Sequence, residues 1–200
     1  ELVGAAPGDR VLDFCAGGGG KALALAAVME NRGQIVLHDV DAKRLAEAER
    51  RLERAGVTIC ETREKARVIN DEFDIVIIDV PCSGSGVWRR NPETKWRITP
   101  TLIAQKTETQ AAILAEAAHF VRPGGRLAYM TCSVLEAENK TQVDKFLRES
   151  LISFNLITIS KEISKMNRLR LDNADEMLQL TPRIHQTDGF FVALFERHSE

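Results

Sequence analysis

Two cysteines occupy positions where a thiol could take part in chemistry. Cys82 follows the apolar run 73–79, and Cys132 follows the apolar run 126–130. In open α/β sheets ligands bind beyond the carboxyl ends of the strands, so both thiols would lie beside a binding site. A thiolate is a strong nucleophile, whereas most free cysteines are simply small buried hydrophobes. For either cysteine alone, a buried structural role is the favoured interpretation. Two cysteines that each follow one of two neighbouring strands favour a catalytic role.

A glycine-rich segment follows the first apolar run of the chain. Its lack of side chains lets a ligand approach the backbone, and the helix after it offers free N–H groups. It is not a Walker loop, because Cys15 stands where that motif has glycine and Ala22 where it has serine or threonine. It meets the dinucleotide fingerprint only in its looser form, so a turn without a ligand is the alternative. The predicted cofactor-binding residues are Cys15, Ala16, Gly17, Gly18, Gly19, Gly20 and Lys21.

Asp39 ends the second predicted strand, 20 residues after Gly19. At this spacing a carboxylate can accept hydrogen bonds from both hydroxyls of a ribose, which implies an adenosine-containing cofactor. An aspartate at a strand end can equally well cap the following helix, but Asp41 is better placed for that. We therefore predict Asp39 as a cofactor-binding residue and Asp41 as the helix cap.

A segment that mixes arginine, lysine and tryptophan lies between the two cysteines. Such a mixture can bind phosphates and stack on bases, although a solvated loop with its tryptophans packed inward is an equal alternative. The residues predicted to contact a nucleic-acid substrate are Arg89, Arg90 and Lys95, next to Arg97, Trp88 and Trp96.

The elements that position these residues alternate regularly between strand and helix. Apolar runs predict strands at 11–14, 35–38, 57–60, 73–79, 126–130, 154–159 and 189–195. Helical periodicity predicts helices at 21–29, after Asp39 as far as Gly56, at about 101–121 and at 136–149. This order predicts an α/β fold with a doubly wound, mostly parallel sheet and helices on both faces. The polar segment between the last two strands has no clear pattern.

Bulk properties limit the function classes that the chain can belong to. The 200 residues are 44% hydrophobic and 28% charged, which suits one domain with its own core. Without a long apolar run or a secretory leader, we predict a cytoplasmic protein that does not bind membranes. The four cysteines are scattered, so neither a metal site nor a disulfide framework is expected. The net charge of −2 argues against a stand-alone nucleic-acid module. We expect a monomer whose substrate-binding region lies N-terminal to residues 1–200.

Several motifs, in order along nearly the whole chain, resemble the Sun/RsmB-type RNA cytosine-5 methyltransferases. They are Asp13-Phe14-Cys15-Ala16-Gly17-Gly18-Gly19-Gly20-Lys21, Asp79-Val80-Pro81-Cys82-Ser83-Gly84-Ser85-Gly86, Arg89-Arg90-Asn91-Pro92, Lys95-Trp96, Thr131-Cys132-Ser133-Val134-Leu135, Glu138-Asn139 and Asp188-Gly189-Phe190-Phe191-Val192-Ala193. The resemblance implies a Rossmann-like methyltransferase domain that modifies carbon 5 of cytosine in RNA, with ribosomal RNA favoured over transfer RNA as the partner.

The resemblance also assigns roles to single residues. The glycine-rich segment, Asp39 and Asp79 would hold S-adenosylmethionine, and Asp79 would also line the cytosine pocket. Cys132 would be the nucleophile that attacks carbon 6, and Cys82 would assist product release. A positive field, from Lys21 or from the helix after Cys132, would favour the Cys132 thiolate.

Two departures from the family pattern leave alternatives open. The family usually has alanine-proline where this chain has Gly17-Gly18, and the extra glycines are expected to loosen the loop and weaken cofactor affinity. The family also carries an aspartate near the third strand, where this chain has Cys60-Glu61-Thr62. The alternatives are a non-catalytic RNA-binding or ribosome-assembly factor, a nicotinamide-dependent oxidoreductase, and a DNA methylase whose nucleophile follows Pro81.

Overall fold

The computed structural model describes residues 2–63, 72–160 and 176–199. The strands are β1 (Arg10–Asp13), β2 (Gln34–Leu37), β3 (Cys60–Thr62), β4 (Phe73–Asp79), β5 (Val121–Thr131), β6 (Phe154–Ile157), β7 (Leu178–Leu180) and β8 (Phe190–Arg197). The α-helices are α1 (Gly20–Val28), α2 (Ala42–Arg54), α3 (Pro100–Ala117), α4 (Lys140–Glu149) and α5 (Pro182–His185). Short 3-10 turns occupy Ser85–Val87, Pro92–Arg97, Ala118–Phe120 and Glu136–Glu138.

The described strands form one mixed sheet in the order β3-β2-β1-β4-β5-β8-β6, with β7 paired to β8. The pairs among β1 to β5 are parallel, whereas β8 runs antiparallel to β5. β1 lies between β2 and β4, so that Val11 has Ile35 and Ile75 as its partners. The carboxyl ends of β1, β2, β4 and β5 therefore meet on one side of the sheet. The predicted doubly wound, mostly parallel sheet is confirmed.

Helices cover both faces of this sheet because the central strands are apolar on both faces. Ile75 and Ile77 pack with α1 and α2 in one core cluster. Val76 and Ile78 point to the other face and pack with α3 and α4 in a second cluster. Burial on both faces fixes the register of β4, because a slip by one residue would exchange the two sets.

The structure corrects several predicted boundaries. The third strand is Cys60–Thr62, not 57–60, because it pairs with β2 through Ile35 and Cys60. The helix predicted to reach residue 121 ends as an α-helix at Ala117, and β5 already begins at Val121. Gly124 and Gly125 predict a turn before the fifth strand, but β5 runs through both glycines, with a register shift against β4.

The second half of the chain differs from the prediction in two further places. The helix predicted at 136–149 is a 3-10 turn followed by α4, with Asn139 between them at φ −115° and ψ −102°. β7 and α5 lie in the polar segment that the sequence left unassigned. β6 ends at Ile157, two residues before its predicted end. No helix within the described ranges is both long and apolar enough to cross a membrane.

Candidate active site

The two cysteines meet at the carboxyl ends of β4 and β5. Their Sγ atoms lie 3.1 Å apart, although 50 residues separate them in the sequence. The Cys82 loop is attached to the Cys132 loop, because the Gly86 N–H donates a hydrogen bond of 2.9 Å to the Cys132 carbonyl. The parallel strands thus bring together the two thiols that the sequence predicted as a catalytic pair.

The two thiols differ in acidity. A hydrogen bond donated by Cys82 stabilises the Cys132 thiolate and lowers the pKa of Cys132, although burial, Asp79 and Glu138 oppose this. The same hydrogen bond, together with burial, raises the pKa of Cys82. Because the Cys132 sulfur is also the less buried of the two, the arrangement favours a thiolate on Cys132 with the proton on Cys82.

Lys21 links the glycine-rich loop to Asp79. Its Nζ lies 3.5 Å from Asp79 Oδ2 and 3.6 Å from Asp13 Oδ1, and it donates to the Cys15 carbonyl at 3.3 Å. Burial opposes the positive charge, but Asp13 and Asp79 more than offset it, and the pKa of Lys21 is raised. Lys21 therefore stays charged between two carboxylates. The largest influence that lowers the pKa of Cys132 comes from Cys82 and not from this lysine.

Asp13, the last residue of β1, is a site residue that sequence reasoning missed. Its side chain is fully buried, and neither carboxylate oxygen has a hydrogen-bond partner. Desolvation raises its pKa to about 6, although Lys21 acts in the opposite direction. A buried carboxylate without a hydrogen bond is costly, so the site has unused capacity to accept a polar ligand group. The available signal was its position at the end of β1, directly before Phe14-Cys15.

The glycine-rich loop forms a cradle between β1 and α1. Gly17 and Gly19 have φ of +54° and +76°, a backbone conformation that favours glycine. A Cβ at Gly19 would lie 2.9 Å from the Ala48 side chain, so the loop packs closely against α2. α1 begins at Gly20, and its first N–H groups point back to this cradle. The geometry fits a small ligand with a negatively charged group.

The structure tests the predicted role of Asp41, and it shows the contacts of Asp39 within the protein. Asp41 caps α2 by accepting hydrogen bonds from the N–H groups of Lys43 and Arg44, which confirms that prediction. Asp39 does not cap the helix. Its Oδ2 accepts the Gly17 N–H at 2.8 Å and its Oδ1 accepts the Asp41 N–H at 2.9 Å. Asp39 therefore lies at the rim of the glycine cradle, where a ribose contact stays a prediction.

A comparison with known proteins identifies the family of the chain. The model of the 16S rRNA methyltransferase RsmB/F family matches residues 2–196. The chain belongs to this family.

Individual members of the RsmB/F family, and a solved structure, are similar to this chain. The probable ribosomal RNA small subunit methyltransferase B of Bacillus subtilis is 33% identical over 190 residues, which cover 92% of this chain and 42% of that protein. The 28S rRNA (cytosine-C(5))-methyltransferase of Mus musculus is 32% identical, with 98% and 44% covered. The structure of NSun6 from Pyrococcus horikoshii with SFG has a TM-score of 0.85 at 24% identity, covering 100% of this chain and 50% of that one. The chain thus spans less than half the length of the two sequence relatives.

The departure from the RsmB/F pattern at Gly17-Gly18 has a structural counterpart on α2. A Cβ at Gly17 would lie 2.6 Å from a guanidinium nitrogen of Arg44, and a Cβ at Gly18 would lie 3.5 Å from one of Arg51. Two arginines thus lie over the segment where the family usually has larger residues. The expectation that the extra glycines weaken cofactor affinity stays a prediction.

We expect Gly17→Ala to destabilise the protein. At φ +54° an L-residue costs about 1–2 kcal/mol, and the added methyl group must also displace Arg44. The midpoint of urea unfolding should therefore fall. Gly18→Ala is the matched control, because its φ lies outside the left-handed region and its Cβ would make only ordinary contact with Arg51. Equal destabilisation by both variants would contradict the prediction.

The predicted RNA-binding residues flank the site on the loop after Cys82. Arg90 Nε lies 2.6 Å from Asp188 Oδ2, and Arg89 forms a weaker pair with the same aspartate at 3.4 Å. The Lys95 ammonium lies 5.7 Å from the ring centroids of Trp88 and Trp96. Trp96 is 82% exposed, which contradicts inward packing for this tryptophan. Sequence reasoning missed Asp188 as a partner, because nearly one hundred residues separate it from the arginines.

The third strand offers no aspartate in the position that the family pattern suggests. Thr62 Oγ1 donates to Glu49, and Glu61 pairs with Arg63. Burial and the nearby Asp13 charge raise the pKa of Cys60 to about 11, so this thiol stays protonated. The described residues contain no group of three or more histidine, cysteine, aspartate or glutamate side chains that could hold a metal ion.

Proposed function

We propose that this protein transfers a methyl group from S-adenosylmethionine to carbon 5 of a cytosine in ribosomal RNA. The observation that carries the proposal is the contact of 3.1 Å between the Cys82 and Cys132 sulfurs, at the sheet side where the glycine cradle also lies. Membership of the RsmB/F family and the name of the mouse relative support the reaction and the class of RNA. A cytoplasmic location remains part of this proposal.

The residues at the carboxyl ends of β1 and β2 fit the cofactor. The glycine cradle would accept its amino-acid end, and Asp39 would accept hydrogen bonds from the ribose hydroxyls. The Asp13 carboxylate, which accepts no hydrogen bond, would offer further acceptors. When bound, S-adenosylmethionine supplies an electrophilic methyl group on a positively charged sulfur. Three nearby carboxylates, those of Asp13, Asp39 and Asp79, favour a cation at this position.

Carbon 5 of cytosine is a weak nucleophile, so the base must be activated before it accepts a methyl group. The Cys132 thiolate would form a bond to carbon 6 and push the electron pair of the carbon 5–carbon 6 double bond towards carbon 5. Asp79 would accept a hydrogen bond from the exocyclic amine and hold the edge of the base that includes nitrogen 3. Its side chain is 37% exposed and so accessible to a base that enters the site.

Release reverses the covalent bond. After methylation, loss of the carbon 5 proton to a base restores the double bond and expels the Cys132 sulfur as thiolate. Cys82 would assist this step, because its sulfur lies 3.1 Å from that sulfur and its thiol can donate a hydrogen bond that stabilises the departing negative charge. In this proposal Cys132 attacks carbon 6, and Cys82 assists release of the methylated RNA.

A direct test uses the full-length protein and ribosomal RNA. Mapping 5-methylcytosine in RNA from cells with and without the gene should reveal at least one cytosine that loses its methyl group. The second candidate function, a non-catalytic RNA-binding or ribosome-assembly factor, is favoured only by the Gly17-Gly18 departure. Ribosomal RNA that binds the protein but has no gene-dependent 5-methylcytosine would support that factor instead.

We expect Arg89→Glu/Arg90→Glu to weaken RNA binding without changing cofactor affinity. If these arginines neutralise phosphates, the salt dependence of binding should also flatten, by about one unit of slope for each phosphate that is no longer neutralised. Binding is measured by fluorescence anisotropy over a range of salt concentrations. Arg32→Glu is the matched control, because Arg32 is 64% exposed and ion-paired, much as Arg89 is 66% exposed and ion-paired.

The pairing with Asp188 makes a further control necessary. Asp188→Asn releases both arginines from their ion pair while it leaves their charges in place. RNA binding should then persist or tighten. If Asp188→Asn weakens binding as much as the double reversal does, the ion pairs are structural and the arginines do not bind phosphate.

A further inference from the structure

Glu138 is a fully buried carboxylate directly behind the two cysteines. Its Oε1 accepts hydrogen bonds from the Ser83 N–H at 2.8 Å and from Gln110 Nε2 at 3.1 Å. Its Oε2 accepts from the Ser83 and Ser133 hydroxyls, both at 2.6 Å. Among the residues that the structure describes, no lysine, arginine or histidine lies within ion-pair distance of it. Burial of a carboxylate is costly unless it is hydrogen-bonded. For Glu138, hydrogen bonds from neutral donors offset this cost.

These hydrogen bonds reach the residues next to both cysteines. Ser83 follows Cys82, and Ser133 follows Cys132. Gln110, which contacts Glu138, also donates to the Pro81 carbonyl at 3.1 Å, so the Cys82 loop is held on both sides. The backbone of Glu138 is fixed in turn by the buried Tyr129 hydroxyl, which donates to its carbonyl at 2.6 Å.

We propose that Glu138 is a positioning residue that holds the Cys82 and Cys132 thiols in hydrogen-bonding contact. The Glu138 carboxylate accepts hydrogen bonds from the loops that follow β4 and β5. In each loop the donor is the serine directly after the cysteine. Without it, the loop after β4 keeps its link through Gly86, but the residue next to each cysteine loses a charged acceptor. The proposal rests on the proposed function only for the roles of the two thiols, since the contact between them is geometric.

If Glu138 holds the two thiols together, its replacement should change the pKa of Cys132. The groups that face its sulfur are Cys82, Asp79 and Glu138, and Lys21 lies behind Asp79. Contact with Cys82 has the largest effect and lowers the pKa of Cys132, whereas the Glu138 charge has a smaller effect and raises it. Removal of the charge alone should therefore lower the pKa, while separation of the two thiols should raise it.

Two substitutions separate these effects. Glu138→Gln keeps an acceptor and can bond the serine hydroxyls in the reverse direction, so the thiols stay together while the charge is removed. Glu138→Ala removes both the hydrogen-bond acceptor and the charge. We expect the pH midpoint for alkylation of Cys132 by iodoacetamide to fall in Glu138→Gln and to rise in Glu138→Ala, each by about half to one pH unit. Peptide mass spectrometry of the full-length protein assigns alkylation to Cys132, and exposed Glu136→Gln in the same turn should leave the midpoint unchanged.

A second background tests whether Glu138 acts through Cys82. In Cys82→Ala protein the hydrogen bond between the thiols is already absent, so Glu138→Ala should no longer raise the midpoint. A rise that persists in that background, or a rise in Glu138→Gln, overturns the proposal. If Glu138→Ala fails to fold by circular dichroism, Ser133→Ala takes its place. It removes one hydroxyl from which Glu138 accepts a hydrogen bond but keeps the Glu138 charge, so the midpoint should rise, and an unchanged midpoint would contradict the proposal. The measurement needs neither RNA nor cofactor, so a protein without methyltransferase activity would overturn the proposed function and leave this inference standing.

Discussion

Cys132→Ala should abolish methylation and leave the protein free of RNA on a denaturing gel, because no thiolate remains to attack carbon 6. Cys82→Ala should instead attack and methylate but release its product slowly. It should therefore appear as a slowly migrating protein–RNA band. The structure supplies a reason for the difference, since the Cys82 sulfur lies 3.1 Å from the sulfur that must leave and can donate a hydrogen bond to it as a thiol.

The double variant is the control for this pair of results. The slow band of Cys82→Ala should vanish when Cys132 is also replaced, which shows that Cys132 forms the bond. Cys60→Ala serves as a matched cysteine outside the pair, and it should turn over normally. The opposite pattern, with a trapped band for Cys132→Ala and none for Cys82→Ala, would place the nucleophile after Pro81, as in the DNA methylases.

Asp39→Ala should weaken binding of S-adenosylmethionine at least tenfold. Two hydrogen bonds from ribose hydroxyls to a carboxylate are worth roughly 1.5–3 kcal/mol each, and a tenfold loss of affinity corresponds to about 1.4 kcal/mol. The same change removes the acceptor of the Gly17 N–H hydrogen bond, so the glycine cradle also loses a restraint. Isothermal titration calorimetry measures the affinity directly.

Asp41→Ala is the matched control for Asp39. It removes the cap of α2 and should lower the free energy of unfolding by about 1 kcal/mol, but it should leave cofactor affinity within a factor of about two or three. Unchanged affinity in Asp39→Ala would refute the ribose contact. Equal loss of affinity in both variants would show that α2, and not the Asp39 carboxylate, determines binding.

The sequence predicts most of the fold because the signals are local. Apolar runs such as β4 must be buried on both faces, and a regular alternation of strand and helix leaves few topologies other than a parallel sheet. The same rule places Asp79, Cys82 and Cys132 together, since neighbouring parallel strands end on the same side. The predicted start of β5 at residue 126 was wrong because the strand also pairs with β4 at Val121. Gly124, at φ +71°, lies where the register shifts and has no partner in β4.

The parts of the site that sequence reasoning missed depend on contacts between distant segments. Nothing local to Glu138 indicates that its carboxylate is buried, since the neighbouring Glu136 in the same 3-10 turn is exposed. The pairing of Asp188 with Arg89 and Arg90 likewise arises only when β8 inserts beside β5. The sequence shows Asp13 at the end of a strand, but its burial without a hydrogen bond is a property of the packed sheet.

The buried Asp13 carboxylate, which pairs with Lys21 at 3.6 Å but accepts no hydrogen bond, links the stability of the whole molecule to its ligand and to pH. Because its pKa rises from 3.8 unfolded to about 6 folded, the native state retains the proton longer than the unfolded chain does. Between these two values each increase in pH weakens the native state, and by neutral pH the accumulated cost is about 3 kcal/mol. That is a substantial fraction of the stability of a typical domain. A bound molecule that offers a hydrogen-bond donor or a cation to Asp13 would recover part of this cost, so the site that carries the function also weakens the unliganded fold.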